Sequence, residues 1–203
     1  MFDYDSYGAF KGSMMQGRHA VLKRLARWLG LRHRYLQFLD GAPRDPPLLE
    51  IGCGDGTFLR ELIDHGFQRV LGVEPSGSYT SVVDERPVVR GYANEFLGDA
   101  PSGSIATVVA LDVFEHIPAT QLKELLLLLG DRVATDGRVV MRIPNMSGAL
   151  GMFNYFGDVS HVSGLNEVSL RQLAHGTPFG DVKFYAEPFA YPRSLRSLVG
   201  IAL

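Results

Sequence analysis

Short runs of consecutive apolar residues alternate along this chain with stretches of helical spacing. Residues 48–51 (Leu-Leu-Glu-Ile) form the first run, residues 70–73 (Val-Leu-Gly-Val) the second and residues 87–90 (Pro-Val-Val-Arg) a weaker third. Residues 105–111 (Ile-Ala-Thr-Val-Val-Ala-Leu) and 137–143 (Gly-Arg-Val-Val-Met-Arg-Ile) supply the fourth and fifth, and residues 181–187 read as a last one. Helical segments separate them, at 57–66 and again at 120–133, where Leu122, Leu125, Leu126, Leu129 and Val133 recur on one face. Runs without polar alternation suit strands covered on both faces of a parallel sheet. Strands joined through helices predict right-handed βαβ units. The expected fold class is α/β, a doubly wound and mostly parallel sheet with helices on both faces.

Between the first run and its helix the chain reads Gly52-Cys53-Gly54-Asp55-Gly56. Alternate glycines remove Cβ atoms where a backbone turns tightly and a ligand approaches closely. The following helix N-terminus presents N–H groups that suit a carboxylate or phosphate. Glu74 closes the second run, about twenty positions after the glycines, the spacing of a residue that binds a ribose diol. Ligands of doubly wound sheets sit beyond the carboxyl ends of the strands, and Glu50, Glu74, Asp112 and Pro144 all fall there. These features predict a nucleotide-like cofactor. Thr57 stands where a dinucleotide pattern places its third glycine.

Composition narrows the partners. At 203 residues the chain is one domain, or one domain with a small appendage. The division expected is an N-terminal helical entry segment, 1–45, and a core, 46–203. A net charge of −2 gives no global reason for nucleic acid, and none is expected as partner. The single cysteine, Cys53, makes no intrachain disulfide, which points to the cytoplasm. Within the glycine turn it reads as a small buried residue rather than a nucleophile. The N-terminus, with Asp3 and Asp5, does not resemble a signal peptide. Residues 11–39 carry Lys11, Arg18, Lys23, Arg24, Arg27, Arg32 and Arg34 without an acid, while Val21, Leu22, Leu25, Trp28 and Leu29 recur at helical spacing. One reading is a core-facing stripe with a solvated basic back. The other is contact with an anionic acceptor or an anionic membrane surface.

The run Glu50-Ile51-Gly52-Cys53-Gly54-Asp55-Gly56 resembles motif I of class I S-adenosylmethionine-dependent methyltransferases. Leu111-Asp112-Val113-Phe114-Glu115-His116-Ile117-Pro118 is similar to the segment after their fourth strand, and residues 137–145 to their fifth. Residues 156–161 (Phe-Gly-Asp-Val-Ser-His) with residues 169–173 resemble the active-site loop and next helix of one subgroup, and Phe10-Lys11-Gly12-Ser13 with Arg18 its entry segment. That subgroup includes O-methyltransferases of bacterial polysaccharide and sugar biosynthesis. The resemblance implies a Rossmann-like core and S-adenosylmethionine as cofactor. It places Glu50, Gly52, Cys53, Gly54 and Gly56 under the methionine and ribose, Glu74 and Pro75 at the ribose, and Ala93 and Asn94 at the adenine. Asp112 and Val113 fall near the methionine end. The implied acceptor is a small molecule or glycan.

Two positions depart from the family. Tyr92 occupies the place where relatives often carry an adenine-binding aspartate. After the run at 181–187 the chain continues to Leu203 in a helix-like sequence, which is read either as a truncated chain or as a variant that lacks the family's seventh strand. Methyl transfer to a hydroxyl needs alignment and a proton acceptor. His161 is the candidate base, because imidazole titrates near neutrality, and Asp158 is expected to orient it. His116 reads as structural support. Phe153, Tyr155 and Phe156 form a lid over the acceptor or staple the loop to the core. No cluster in the sequence suggests a metal site. A catalytically silent binding protein of the same fold and an NAD-dependent oxidoreductase stand as alternatives.

Overall fold

The structure, a computed structural model, describes residues 3–14, 33–77, 82–83, 86–148, 151–179 and 182–185. The apolar stripe of residues 21–29, Arg18 and the segment after residue 185 lie outside these. In chain order the elements are α1 (Tyr4–Met14), α2 (His33–Leu36), a 3-10 turn (Gln37–Leu39), β1 (Leu48–Ile51) and α3 (Thr57–Asp64). Then come β2 (Val70–Glu74), β3 (Val82–Val83), β4 (Arg86–Arg90), α4 (Ala93–Asp99) and β5 (Ile105–Leu111). A second 3-10 turn (Phe114–His116), α5 (Ala119–Arg132), β6 (Val133–Arg142), α6 (Gly151–Phe156) and α7 (Glu167–Ala174) complete the described elements.

The strands form one sheet in the order β3-β4-β2-β1-β5-β6. Five of them run parallel, with helices on both sides, as the strand and helix alternation predicts. In register, Leu48 lies beside Val70 and Glu50 beside Gly72. On the other side of β2, Glu74 lies beside Arg90 of β4. The short β3, not foreseen in the sequence, adds antiparallel to β4. All four residues of β1 are buried, as are Val70, Val73, Val108, Val109 and Ala110. Each such aliphatic side chain contributes roughly 1.5–3 kcal/mol by leaving water. On α5, Leu122, Leu125, Leu126 and Leu129 are buried at the predicted spacing. Val133 belongs to β6 rather than to the helix, because that strand begins four residues before the expected Gly137. Residues 182–185, the described part of the expected last strand, have no strand structure. Among the described residues no helix is long and apolar enough to cross a membrane.

By their contacts the residues group into two compact units. The first comprises Met1–Val109 with Val133–Val140, the second Ala110–Arg132 with Met141–Leu203. In the first, the Arg138 guanidinium donates to the carbonyls of Phe38 and Asp40, fastening the 3-10 turn after α2 to β6. Gly72 marks where β2 meets the glycine loop. A Cβ there would stand 2.6 Å from Cys53 Sγ and 2.7 Å from Leu59 Cδ1. Gly72→Ala is therefore expected to destabilise the fold by about 1–3 kcal/mol through overpacking, read as a lowered urea midpoint with an unchanged m-value.

Candidate functional site

The first unit carries the glycine loop. Gly52, Gly54 and Gly56 have φ of +69°, +53° and +70°, left-handed values that L side chains rarely adopt. Their alternation folds the backbone from β1 into α3. Gly52 donates to Val73 O at 2.8 Å, and Gly54 N–H donates to Glu74 Oε2 at 2.9 Å. The other carboxylate oxygen, Oε1, accepts from Ser76 N–H at 2.9 Å. The buried Glu74 thus joins the loop to the turn after its own strand. Burial pushes the Glu74 carboxyl above its ordinary range, and the two backbone donors oppose that rise. A Cβ on Gly54 would meet nothing within 4 Å, so the loop is open above that residue. The first helical N–H, on Thr57, is already capped by Asp55 Oδ1 at 3.0 Å. One N–H of the helix start is therefore satisfied by the loop itself.

Cys53 is buried, and its thiol is pushed far upward by burial and by the charges of Glu50 and Glu74. It is a packing residue and no nucleophile. Glu50 is buried inside β1, and Pro75 is half-buried just after β2. Tyr92 precedes α4, where its N–H donates to Glu95 Oε2, and its ring meets Tyr4 edge-on at 6.0 Å. Ala93 and Asn94 open that helix, the first half-buried and the second exposed. Tyr4 brings α1 to this end of the sheet. Burial and the charge of Glu74 both raise its hydroxyl pKa. Asp5 accepts from Gly77 N–H and pairs with Arg90 Nη2, each at 2.6 Å. The sequence offered no sign of this arrangement, because each partner lies more than seventy residues away.

The second unit carries the remaining candidates. Asp112 follows β5 with φ +57°, among the described residues the one non-glycine position in left-handed backbone. Such strain of about 1–3 kcal/mol concentrates at functional sites. Its carboxylate pairs with Arg142, whose carbonyl accepts the Asp112 N–H at 3.0 Å. The family comparison had singled out Asp112 but not Arg142. Val113 is half-buried at the start of the next 3-10 turn.

Asp158, expected to orient the His161 imidazole, turns instead to Ser160. Its Oδ1 accepts from Ser160 N–H at 3.0 Å and Ser160 Oγ–H at 2.6 Å. Ser160 Oγ lies 2.9 Å from His116 Nδ1. The His161 ring is held by the Tyr155 carbonyl, 3.1 Å from Nδ1. Its Nε2 lies 3.9 Å from Glu115 Oε1. Spacing alone suggested Asp158 as partner, but an aspartate two residues before a serine closes a local turn onto it. The two imidazoles are 4.8 Å apart, centre to centre. Segment 160–163 is fastened to segment 115–117: Val162 and Ser163 N–H donate to Glu115 O, and Ser163 Oγ donates to Ile117 O. Glu115, Ser160 and Ser163 are buried. Phe153 and Phe156 are about 70% exposed and do not staple the loop, whereas Tyr155 is half-buried against His161.

The raised Glu74 pKa has a consequence for stability. A carboxyl whose folded value lies above its unfolded value binds more protons in the folded state across that interval. Its contribution is present in full below the ordinary value of 4.5 and is lost as pH rises through the folded value. Glu74→Gln is expected to flatten this part of the pH profile, measured as urea midpoints from pH 4 upward. A slope identical to that of the wild type would remove Glu74 as its source.

The family described as "Methyltransferase domain" matches residues 20–183. EEF1A lysine methyltransferase 2 of Mus musculus is 39% identical over 57 residues, a stretch that is 28% of this chain and only 20% of the mouse protein. Among solved structures, a SAM dependent methyltransferase from Archaeoglobus fulgidus superposes with a TM-score of 0.65 at 25% identity, covering 83% of this chain and 72% of that one. Haemonchus contortus phosphoethanolamine N-methyltransferase 2, in complex with phosphomonomethylethanolamine and S-adenosylhomocysteine, superposes with 0.61 at 18% identity. That match covers 76% of this chain and 39% of the other. With sheet order, glycine loop and sequence match in agreement, the chain belongs to the methyltransferase-domain family, whose fold is that of the S-adenosylmethionine-dependent methyltransferases.

Proposed function

We propose that this protein is an S-adenosylmethionine-dependent methyltransferase acting on a hydroxyl of a sugar, glycan or similar small molecule, as in polysaccharide biosynthesis. One observation carries the cofactor assignment: the left-handed glycine loop is joined through Gly54 N–H to the buried carboxylate of Glu74. The residues fit the cofactor. The space above Gly54 is open, and each Glu74 oxygen has a second lone pair for a ribose hydroxyl. Glu50, Gly52, Cys53 and Gly56 shape the cradle, Pro75 flanks the ribose, and Ala93 and Asn94 border the adenine. The resemblance assigns Asp112 and Val113 to the methionine end and residues 1–45 to an entry segment. The family match favours this nucleoside over a dinucleotide.

When bound, S-adenosylmethionine supplies a methyl group on cationic sulfur, and the C–S bonding pair leaves with the thioether as the acceptor oxygen takes the carbon. The chain's own residues align the acceptor and receive its proton. His161 has the form of a base: the Tyr155 carbonyl can only accept, so Nδ1 carries hydrogen and Nε2 the lone pair. Asp158 acts at one remove, holding Ser160 against His116. Phe153 and Phe156 are exposed where a lid would close on the acceptor. The choice of a sugar hydroxyl is supported by the resemblance of residues 156–161 to the polysaccharide subgroup. A second reading, a silent cofactor-binding protein, is favoured by Asp112, whose carboxylate is already paired with Arg142.

S-adenosylmethionine is expected to raise the melting temperature, and NAD to leave it unchanged. Glu74→Ala should weaken the cofactor by about 1–3 kcal/mol; equal affinity would show that the carboxylate does not hold the ribose. His161→Ala is expected to lower kcat by about 10²–10⁴-fold with little change in cofactor affinity. Labelled methyl transfer to sugar and glycan acceptors tests the substrate class, and a bound cofactor without transfer to any acceptor selects the silent reading.

A further inference from the structure

Glu115, His116 and His161 bring one donor atom each within 4.8 Å of one another. The surrounding hydrogen bonds fix the tautomer that each ring takes when neutral. His161 Nδ1 carries its hydrogen toward the Tyr155 carbonyl, so Nε2 is the lone-pair nitrogen. Ser160 Oγ gives its single hydrogen to Asp158 and therefore accepts from His116 Nδ1 at 2.9 Å. His116 too is left with its lone pair on Nε2. Imidazoles anchored at one nitrogen by a carbonyl, or by a hydroxyl backed by a carboxylate, are in the arrangement that orients metal ligands. Between them lies Glu115, 2% exposed. His161 Nε2 lies 3.9 Å from Glu115 Oε1. Ligands at about 2.0–2.2 Å from one ion lie roughly 3–3.5 Å apart, so a contraction of about 1.3–1.8 Å in the widest separation would close the three around a cation.

We propose that Glu115, His116 and His161 form a binding site for a divalent first-row transition cation of the Zn²⁺ class. Two imidazoles and one carboxylate suit such an ion, whereas Mg²⁺ prefers oxygen donors and retained water. The frame is built in advance, since the bonds from segment 160–163 to Glu115 and Ile117 hold His161 to the turn that carries the other two ligands. Three protein ligands leave a coordination position open, as catalytic sites of this kind do. An acceptor hydroxyl taken there would be acidified, and its proton would leave to water, because His161 Nε2 is then a ligand. That role rests on the methyltransferase reading; the existence of the site does not.

The test uses the full chain stripped with a chelator, titrated with Zn²⁺ by calorimetry and with Co²⁺ by visible absorption. One equivalent is expected, with the d–d bands of a low-coordinate cobalt centre. Glu115→Gln and His161→Ala should each weaken binding at least tenfold. Ser160→Ala, which releases His116 without touching the ion, should weaken it by about 10–100-fold. Circular dichroism checks that each variant is folded, and Asp158→Asn replaces any that is not. Lack of stoichiometric binding by the folded wild type overturns the proposal. So does equal affinity in Glu115→Gln and His161→Ala. Metal binding without S-adenosylmethionine binding sinks the methyltransferase reading and leaves the site standing, and cofactor binding without metal does the reverse.

Discussion

The first unit depends on a buried carboxylate that two backbone amides hold in place. Glu74 ends its strand away from water, where an unsatisfied charge would be costly. Gly54 and Ser76 each supply an N–H, one from the loop ahead of α3 and one from the turn after β2. The same two bonds that make the carboxylate tolerable fix the curvature of the glycine loop. Shape and charge are therefore coupled. Charge-assisted hydrogen bonds of this kind are worth about 1.5–3 kcal/mol each, comparable with the strain that one left-handed residue other than glycine would carry. The loop is thus held in its form by bonds from its own chain.

The second unit solves a similar problem differently. Glu115 is also a buried acid, but its neighbours are imidazoles, each held at Nδ1 by Ser160 or by the Tyr155 carbonyl. Its main chain does the fastening, by accepting from Val162 and Ser163. The result is a cluster assembled from two segments about 45 residues apart in sequence and held as one piece by short local bonds. Directly after β5, Asp112 adopts a backbone that only a few per cent of non-glycine residues adopt, and its pairing with Arg142 compensates.

Much of the fold was readable before any coordinates. Strands β1, β2 and β5 were visible as mostly apolar runs, because a strand buried on both faces has no polar alternation to hide it, whereas β4 and β6 are more exposed and gave weaker runs. Gly52, Gly54, Gly56 and Glu74 were visible because the loop's backbone angles exclude other residues. The weaker readings share one cause. Whether Asp158 serves His161 or Ser160 is decided by a turn of three residues, and spacing does not reveal which way a carboxylate swings. His116 read as structural support because His161, whose ring lies 4.8 Å away, is 45 positions on, beyond any local pattern. Arg142 and Asp5 were invisible for the same reason, since each acts on a residue brought near only by the finished sheet. β3, two residues long, carries too little sequence to be read at all.

The anchoring of α1 carries a physiological corollary. Asp5 and Arg90 are more than half exposed, and a solvated ion pair of this sort adds only about 0–1 kcal/mol. Its strength falls as counterions crowd in, over a screening distance of roughly 8 Å at cellular ionic strength. The first helix is thus fastened next to the Glu74 end of the sheet by a clasp whose grip follows the salt of its surroundings, so how firmly it is held becomes a property of the medium as well as of the protein.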